Sequence, residues 1–171
     1  MNVLQTERLA LRRITTEDAE TLVAILNEPA FVRFVADRGV RTKEQGEAYI
    51  TEKMLPSFEK YGFGFFVVRL QETGAPIGMC GLIKRDGLDD VDIGFSFLRE
   101  YWRHGYGYEA AAAVMDYGRR EHGLSRIVGI TSEDNEVSGK LLEKLGLRFE
   151  RLIQVPGFTR SSRLFVPAVQ D

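Results

Sequence analysis

The chain has 171 residues and a formal net charge of −2 at pH 7, and 44% of its residues are hydrophobic while 28% are charged. This composition is typical of a water-soluble globular domain, and the charge excludes a global field that attracts nucleic acid or anionic membranes. No apolar run approaches the ~20 residues of a membrane-spanning helix, and residues 1–13 lack the apolar core of a signal peptide. Since the single cysteine has no partner for an internal disulfide, we expect one cytoplasmic domain over residues 1–171 that binds neither nucleic acid nor membranes.

The first half of the chain predicts one short strand followed by two helices. Residues 9–11 lie between arginines and form the strand, and residues 15–18 supply capping side chains for the first helix. A second capping box at residues 42–45 starts the other helix, whose apolar side chains recur every four positions. Because Pro56 falls inside that pattern and cannot donate a helical hydrogen bond, we expect a kink or break near Met54.

The second half predicts strands that alternate with two helices. Residues 63–70 and 77–83 flank a turn with glycine and proline, which is typical of a hairpin. Residues 91–97 alternate apolar and polar side chains, which indicates a strand with one apolar face. An alanine-rich helix follows at about residues 107–121, and another begins at Asn135. Further strands are expected at residues 126–131, 147–155 and 160–166. A single mixed sheet covered by helices fits this order.

The most informative segment is residues 102–110, with the sequence WRHGYGYEA, between a strand and a helix. The first N–H groups of a helix have no partner within the helix, and the helix dipole places partial positive charge there. Gly105 and Gly107 have no Cβ, so a phosphate can approach the backbone, and Arg103 and His104 lie beside that opening. The segment therefore predicts a site for a phosphorylated ligand.

Two other nucleotide-binding motifs fit this segment poorly. The Gly-Lys-Ser/Thr ending of a P-loop is absent from the sequence. A Rossmann fingerprint requires a βαβ unit, whereas the strands before this loop form a hairpin. On this segment alone, an ordinary glycine-rich turn without a ligand is the alternative.

Four segments together resemble the GNAT superfamily of acyltransferases, which use acetyl-coenzyme A. They are residues 6–12 (TERLALR), 93–95 (IGF), 101–110 and 135–146, where Asn-x-x-Ser precedes Glu-Lys-Leu-Gly. The resemblance is closest to the ribosomal-protein alanine N-acetyltransferases of the RimJ/RimL type. The family's phosphate loop begins with Gln or Arg, and the tryptophan found here at position 102 is common in that branch. The resemblance implies an α+β fold with a central mixed, mostly antiparallel sheet of about seven strands, flanked by about four helices.

The resemblance also implies a coenzyme site without a metal ion. The strand before the loop separates from its neighbour in this fold, so its exposed backbone near Phe97 and Leu98 would pair with the pantetheine arm and polarise the thioester carbonyl. Asn135, a predicted helix N-cap, would also bind the coenzyme arm. Backbone N–H groups of the loop would hold the pyrophosphate, and these belong to Arg103, His104, Gly105, Tyr106, Gly107 and Tyr108.

Ser138 is the candidate for assisting the departing thiol. Many family members carry a tyrosine general acid seven residues after the asparagine, where this chain has Leu142. Ser138 resembles the RimJ/RimL substitute for that tyrosine and would face the coenzyme thiol. A first-turn helix serine without a catalytic role is the alternative.

Asp92 is the candidate base, because the attacking amine must lose a proton. It would act directly or through water, with Asp89 and Asp90 as other candidates and solvent water as a further acceptor. The alternative role of Asp92 is that of a solvent-facing strand carboxylate. The missing side chain at Gly94 would leave room for a substrate on the same face of the strand.

The predicted activity is transfer of an acetyl group from acetyl-coenzyme A to a primary amine by direct attack through a tetrahedral intermediate. The acceptor would be a protein N-terminus or a small-molecule amine, and the enzyme a monomer or a homodimer. The alternative is a non-catalytic module that binds acyl-coenzyme A, which the leucine at position 142 favours.

Residues 31–41, predicted to be a loop, would line the acceptor side. The arginines of this segment, which include Arg38 and Arg41, suggest an acceptor with an acidic or carboxylate portion. Three of its side chains are expected to contact the acceptor: Phe31, Arg33 and Phe34.

Overall fold

The computed structural model describes residues 3–158 and 160–168, whose strands form one sheet of eight. In chain order the strands are β1 (Leu4–Gln5), β2 (Leu9–Arg13), β3 (Phe65–Leu70), β4 (Pro76–Ile83), β5 (Val91–Phe97), β6 (Ile127–Ser132), β7 (Leu147–Ile153) and β8 (Ser162–Pro167). Their spatial order is β1-β2-β3-β4-β5-β6-β8-β7, and every neighbouring pair is antiparallel except β5 and β6. The expected mixed, mostly antiparallel sheet is confirmed. The additional strand is β1, whose two residues are too few to show an alternation in sequence.

The helices lie around this sheet. In chain order they are α1 (Ala19–Leu26), α2 (Pro29–Phe34), α3 (Lys43–Tyr49), α4 (Leu55–Tyr61), α5 (Tyr106–His122) and α6 (Glu136–Lys144). Short 3₁₀ turns occur at Thr16–Asp18 and Arg99–Tyr101, and a π turn, Ile50–Met54, joins α3 to α4. The four expected helices are present as α1, the segment α3–α4 with its π turn, α5 and α6.

The helix α2 was not expected, since residues 31–41 were predicted to be a loop. Pro29 occupies the first helical position, where its fixed φ favours a helix and its missing N–H costs nothing. The N–H of Val35 then bonds to the carbonyl of Phe31 at 2.8 Å and ends the helix. The loop prediction is therefore wrong for residues 31–34 and right for residues 35–41.

The kink or break expected near Met54 takes the form of a π turn within a continuous helical segment. In the π turn the N–H of Leu55 bonds to the carbonyl of Ile50, five residues earlier. Pro56 follows in the first turn of α4, where no partner for an N–H is needed. The wider turn lets the chain continue as a helix past a residue that would otherwise end it.

Helices cover both faces of the sheet. On one face α5 buries residues that include Ala110, Val114 and Met115. On the other face α1 and α3 pack around Val67 and Met79. The sheet is therefore a central layer between two hydrophobic clusters.

The parallel strands β5 and β6 separate along their length. Their register joins only Val91 to Ile127 and Asp92 to Val128, although both strands continue well beyond these residues. The sheet therefore opens between them toward the carboxyl ends of the strands, and we call this opening the β5–β6 wedge. Crevices at the carboxyl ends of parallel strands are frequent ligand sites.

Candidate active site

Within the β5–β6 wedge, β5 presents one row of backbone groups. The N–H of Leu98 donates to the carbonyl of Ile77 on β4 at 2.9 Å. Since antiparallel pairs alternate between bonded and non-bonded positions, the N–H groups of Phe95 and Phe97 point the other way, into the wedge. The expectation that Leu98 offers its N–H to a ligand is wrong, because Ile77 takes that group and the Leu98 carbonyl accepts from Tyr101. Phe97 keeps an N–H in position to polarise a thioester carbonyl.

The loop from β5 to α5 forms the open end of the wedge. Arg103 has a φ of 69° and Gly105 a φ of 81°, and Gly105 is the N-cap of α5. Glycine adopts this left-handed conformation without strain. The 17 residues of α5 direct their dipole at the loop, and the first N–H groups of the helix have no partner within it. The geometry suits a phosphate, as the glycine spacing predicts.

Trp102 fastens this loop to the end of β5. Its Nε1 donates to the carbonyl of Phe97 at 2.8 Å, and the guanidinium of Arg99 lies 4.6 Å from its ring. The carbonyl of Phe97 is thereby occupied, so its N–H is the group left to face the wedge. The N–H of Arg99 donates to the carboxylate of Glu28 at 3.0 Å, which joins the loop to the start of α2.

Arg8 reaches the same loop from the N-terminal part of the chain. Its Nε donates to Glu109 at 2.7 Å, and its Nη1 donates to the carbonyl of His104 at 2.9 Å. Its guanidinium lies 4.4 Å from the centre of the Tyr106 ring. Glu109 also accepts from the hydroxyl of Thr6 at 2.5 Å and from the N–H of Arg8 at 2.9 Å. The TERLALR motif marked this segment, but no local pattern relates residues 101 positions apart.

The start of α6 lies across the wedge from β5. Asn135 is its N-cap, since Oδ1 accepts from the N–H of Ser138 at 3.2 Å, and the predicted cap is confirmed. Leu142 is 1% exposed and lies against Gly129 of β6, while Leu141 lies against the first turn of α5. The helical period places Ser138, one turn earlier, on the same face.

Asp92 lies at the closed end of the wedge and is 1% exposed. Both its oxygens accept from Nε of Arg85, at 3.0 and 3.2 Å. Burial raises the pKa of Asp92 and Arg85 opposes that change, so the net pKa lies above the ordinary value of the carboxyl. The alternative of a solvent-facing carboxylate is therefore wrong. Its raised pKa also makes Asp92 a stronger base than an exposed aspartate.

The space beside Gly94 is already filled. A Cβ atom on Gly94 would lie 2.4 Å from Cδ1 of Ile83 and 3.5 Å from the ring of Phe65. The expectation that the missing side chain leaves room for a substrate is wrong, because Ile83 occupies that volume. Glycine here permits close packing within the sheet instead.

The predicted acceptor side carries a cluster of linked charges. Arg33 on α2 lies 3.4 Å from Asp134, and Arg160 donates to the same carboxylate at 3.0 and 3.3 Å. The hydrogen bonds from Arg160 lower the pKa of Asp134. Arg160 also donates to the carbonyl of Arg33 at 3.0 Å. Because Asp134 directly precedes Asn135, three segments of the chain meet at the start of α6.

The other residues predicted for the acceptor side have different surroundings. Phe31 packs against the hydrophobic cluster that contains the buried residues of α1, and Phe34 is half-buried on α2. Arg41 donates to Asp37 at 2.7 Å and so holds its own loop together. Arg38 donates to the carbonyl of Gly157 at 2.8 Å and links that loop to the segment after β7. None of these contacts tests acceptor binding, which stays a prediction.

The family of the chain follows from comparison with known proteins. A family model described as an acetyltransferase (GNAT) domain matches residues 8–148. The chain belongs to the GNAT acetyltransferase family. The predicted family and fold are confirmed, and the protein is an acetyl-coenzyme A-dependent acetyltransferase.

Relatives resemble the chain along most of its length. YoaA of Bacillus subtilis (strain 168), an uncharacterised N-acetyltransferase, is 31% identical over 154 residues, which are 89% of this chain and 86% of YoaA. An acetyltransferase from Agrobacterium tumefaciens strain C58 has a TM-score of 0.80 at 21% identity and covers 95% of this chain and 92% of its own. RimL, a ribosomal L7/L12 α-N-protein acetyltransferase solved with coenzyme A, has a TM-score of 0.80 at 15% identity. The match covers 98% of this chain and 99% of the RimL chain. The two structures share the fold.

Two further features concern only residues 3–158 and 160–168. None of their helices is both long enough and apolar enough to cross a membrane. They contain no group of three or more His, Cys, Asp or Glu side chains that could hold a metal ion.

Proposed function

We propose that the enzyme transfers the acetyl group of acetyl-coenzyme A to a primary amine, on a protein N-terminus or a small molecule, by direct attack on the thioester. The β5–β6 wedge carries this proposal. It leads from an anion-binding loop at the N-terminus of α5 to a buried carboxyl, Asp92, and the free edge of β5 lies between them. A thioester and an amine could meet along this edge.

The residues present fit coenzyme A, the acyl-donor substrate. The N–H groups of residues 103–108 would hold the pyrophosphate, since Gly105 keeps the loop open at a φ of 81°. Asn135 and the N–H of Phe97 would hold the pantetheine arm. The substrate supplies the activated acetyl group, and the N–H of Phe97 would stabilise the oxyanion that forms from its carbonyl.

An ammonium acceptor loses two protons in this reaction: one before its nitrogen attacks the thioester, and a second after the C–N bond forms, which balances the proton that the thiolate takes up. An alkyl ammonium has a pKa near 10, so a base must take its proton before the nitrogen attacks. We assign this step to Asp92, directly or through water, because its buried carboxyl lies at the closed end of the wedge and burial raises its pKa. The C–N bond then forms, the C–S bond breaks, and the hydroxyl of Ser138 would donate a hydrogen bond to the departing sulfur.

The charge cluster at the start of α6 favours an acceptor with acidic groups. Arg33 and Arg160 share the single carboxylate of Asp134, so the cluster has a surplus positive charge in a chain whose net charge is −2. RimL, whose fold this chain shares, is named for a ribosomal protein substrate. We infer that the acceptor is an acidic protein N-terminus or a small amine that carries a carboxylate. The enzyme would act in the cytoplasm, and it would be a monomer or a homodimer.

A panel of acceptors tests this function. Purified enzyme is incubated with acetyl-coenzyme A and peptides with acidic, neutral or basic N-terminal sequences, beside polyamines and amino acids. Free thiol release and mass spectrometry measure turnover, and we expect acetylated products from acidic peptides or carboxylate-bearing amines. If the enzyme binds acetyl-coenzyme A but acetylates no member of the panel, the alternative of a non-catalytic binding module replaces this proposal.

A further inference from the structure

The side chain of Arg8 reaches the phosphate loop from the turn between β1 and β2. Its side chain is 42% exposed, and the Nη1 bond to the carbonyl of His104 brings the guanidinium against the residue before the N-cap. A Cβ atom placed on Gly105 would lie 3.4 Å from Nη2 of Arg8. The Nη2 end of the guanidinium therefore borders the N-terminus of α5, where the helix dipole attracts an anion.

Glu109 fixes the direction of this side chain. Its Oε1 accepts from Nε of Arg8, while its Oε2 accepts from the hydroxyl of Thr6 and the N–H of Arg8. Both oxygens of Glu109 thus accept hydrogen bonds from residues 6–8. Burial raises the pKa of Glu109, but these hydrogen bonds outweigh it and the net pKa lies below the ordinary value. Glu109 is therefore ionised at neutral pH and holds the fork of Arg8 in one orientation.

We propose that Arg8 is a phosphate-binding residue of the coenzyme site, held in place by Glu109. This rests on the proposed function and adds a residue outside the glycine loop. The planar fork of arginine matches phosphate oxygens, and Nη1 and Nη2 retain N–H groups beyond the bond to His104. A cation–π contact with the ring of Tyr106, whose centre lies 4.4 Å from Cζ of Arg8, keeps the guanidinium beside the first turn of α5.

Binding of coenzyme A by isothermal titration calorimetry gives the first test, with Arg8→Ala, Arg8→Lys and Glu109→Gln as variants. One charge-assisted contact is worth about tenfold to a hundredfold in affinity. We expect Arg8→Ala to lose that much, and Arg8→Lys to recover part of it because lysine keeps the charge without the fork. Glu109→Gln should lose less than Arg8→Ala. Unchanged affinity of Arg8→Ala for coenzyme A would overturn the proposal.

A donor without phosphates separates phosphate binding from a merely structural role. The ratio of kcat/KM for acetyl-coenzyme A to kcat/KM for S-acetylpantetheine is measured in each protein. In Arg8→Ala this ratio should fall by the same factor as the affinity for coenzyme A. Equal losses with both donors would mean that Arg8 only supports the loop, and would contradict phosphate binding.

Arg12→Ala is the matched control, because Arg12 lies four residues further on in β2 and its guanidinium pairs with Asp18 at 2.7 Å instead of with α5. Its Tm should fall, whereas its affinity for coenzyme A should equal that of the wild type. If Arg12→Ala loses coenzyme affinity as Arg8→Ala does, general destabilisation explains both and the proposal fails. Wild-type enzyme that binds no coenzyme A would overturn the proposed function as well, whereas normal turnover beside an unaffected Arg8→Ala variant would overturn this inference alone.

Discussion

Ser138 and Leu142 share one face of α6 but have different environments. Leu142 is buried against Gly129 of β6, so its position contributes to the core. A proton donor for the departing thiolate must therefore come from another side chain. Ser138 is half-buried one turn earlier on the same face of the helix, and its hydroxyl can donate a hydrogen bond that stabilises a thiolate.

Ser138→Ala should lower kcat by about tenfold to a thousandfold, because one hydrogen bond or one proton donor is lost from the transition state. Steady-state kinetics with acetyl-coenzyme A measure this, and calorimetry should show nearly unchanged coenzyme binding. Ser57→Ala is the matched control, because Ser57 lies on α4 and its hydroxyl donates to the carbonyl of Phe63 at 2.6 Å. A wild-type kcat in Ser138→Ala would leave Ser138 as a helix residue only.

Asp92→Asn should change the shape of the pH–rate profile. Wild-type kcat/KM should rise as Asp92 ionises, at a pH above the ordinary carboxyl range, because burial raises its pKa. Asparagine keeps the size but not the basicity, so the rate at neutral pH should fall. The deficit should shrink as the pH approaches the pKa of the amine, where free amine becomes abundant. Profiles that run parallel would assign the proton to solvent water instead.

At the scale of elements, α5 begins and ends with glycine in the left-handed conformation. Gly105, its N-cap, has a φ of 81°, and Gly123, its C-cap, has a φ of 61° with no atom within 4 Å of an added Cβ. The two positions impose similar backbone strain on any other residue, but only Gly105 borders the phosphate loop.

Gly105→Ala and Gly123→Ala therefore form a matched pair. Each should lower the free energy of unfolding by about 1 to 2 kcal/mol, the cost of a left-handed non-glycine residue. Only Gly105→Ala should lower the affinity for coenzyme A, because the loop relaxes and a methyl group enters it. Chemical denaturation and calorimetry measure the two effects, and equal coenzyme affinity in both variants would place the phosphates elsewhere.

Elements with a clear short-range pattern could be predicted from the sequence. The alternation in β5, the cap at Asn135 and the proline in α4 each reflect physics that acts within a few residues. The helix α2 was missed, because the six residues that begin at Pro29 are too few to show a helical period. The arginines of residues 31–41 drew attention to this segment. A preference for one acceptor depends on distances between segments, which no local pattern contains.

The missed features of the site depend on contacts between distant segments. Arg8 meets Glu109 only because β2 and α5 lie side by side in the folded chain. Gly94 looked like an open position, yet Ile83 fills the space from the neighbouring strand. Leu98 lost its predicted role because strand register decides which N–H groups face the wedge.

At the scale of the whole molecule, side chains at both ends of β2 bond to helical segments. Arg8, directly before the strand, bonds to Glu109 of α5. Near the C-terminal end of β2, Arg12 donates to both oxygens of Asp18 at 2.7 and 2.8 Å, and the N–H of Thr15 donates at 2.8 Å. Burial raises the pKa of Asp18, but these hydrogen bonds outweigh it, so the net pKa lies below the ordinary value. Such a carboxyl stabilises the fold above its unfolded pKa of about 3.9, and the contribution is lost as the pH falls through the folded value.

Asp18→Asn should therefore lower the free energy of unfolding at pH 7 by about 2 kcal/mol, the value of hydrogen bonds to a charged group. The difference from the wild type should shrink as the pH falls from about 4, the pKa of an aspartate in the unfolded chain, through the lower pKa of Asp18 in the folded protein. Urea unfolding at pH 7 and pH 3 measures both values. Asp116→Asn serves as the control, since its pair with Arg120 is exposed and should contribute little. A deficit that stays constant with pH would contradict an electrostatic origin.

Because β5 borders the β5–β6 wedge, its backbone N–H groups should exchange hydrogen for deuterium at two different rates. Along β5, the N–H groups of Gly94 and Ser96 face β4, whereas those of Phe95 and Phe97 face the wedge. Without coenzyme, every second amide should therefore exchange quickly, although the strand lies inside the sheet. Saturating coenzyme A should slow the exchange of the Phe97 amide, because the pantetheine arm would pair with β5 where a neighbouring strand is absent. Uniform protection along β5 without coenzyme would show that the strand edge is closed.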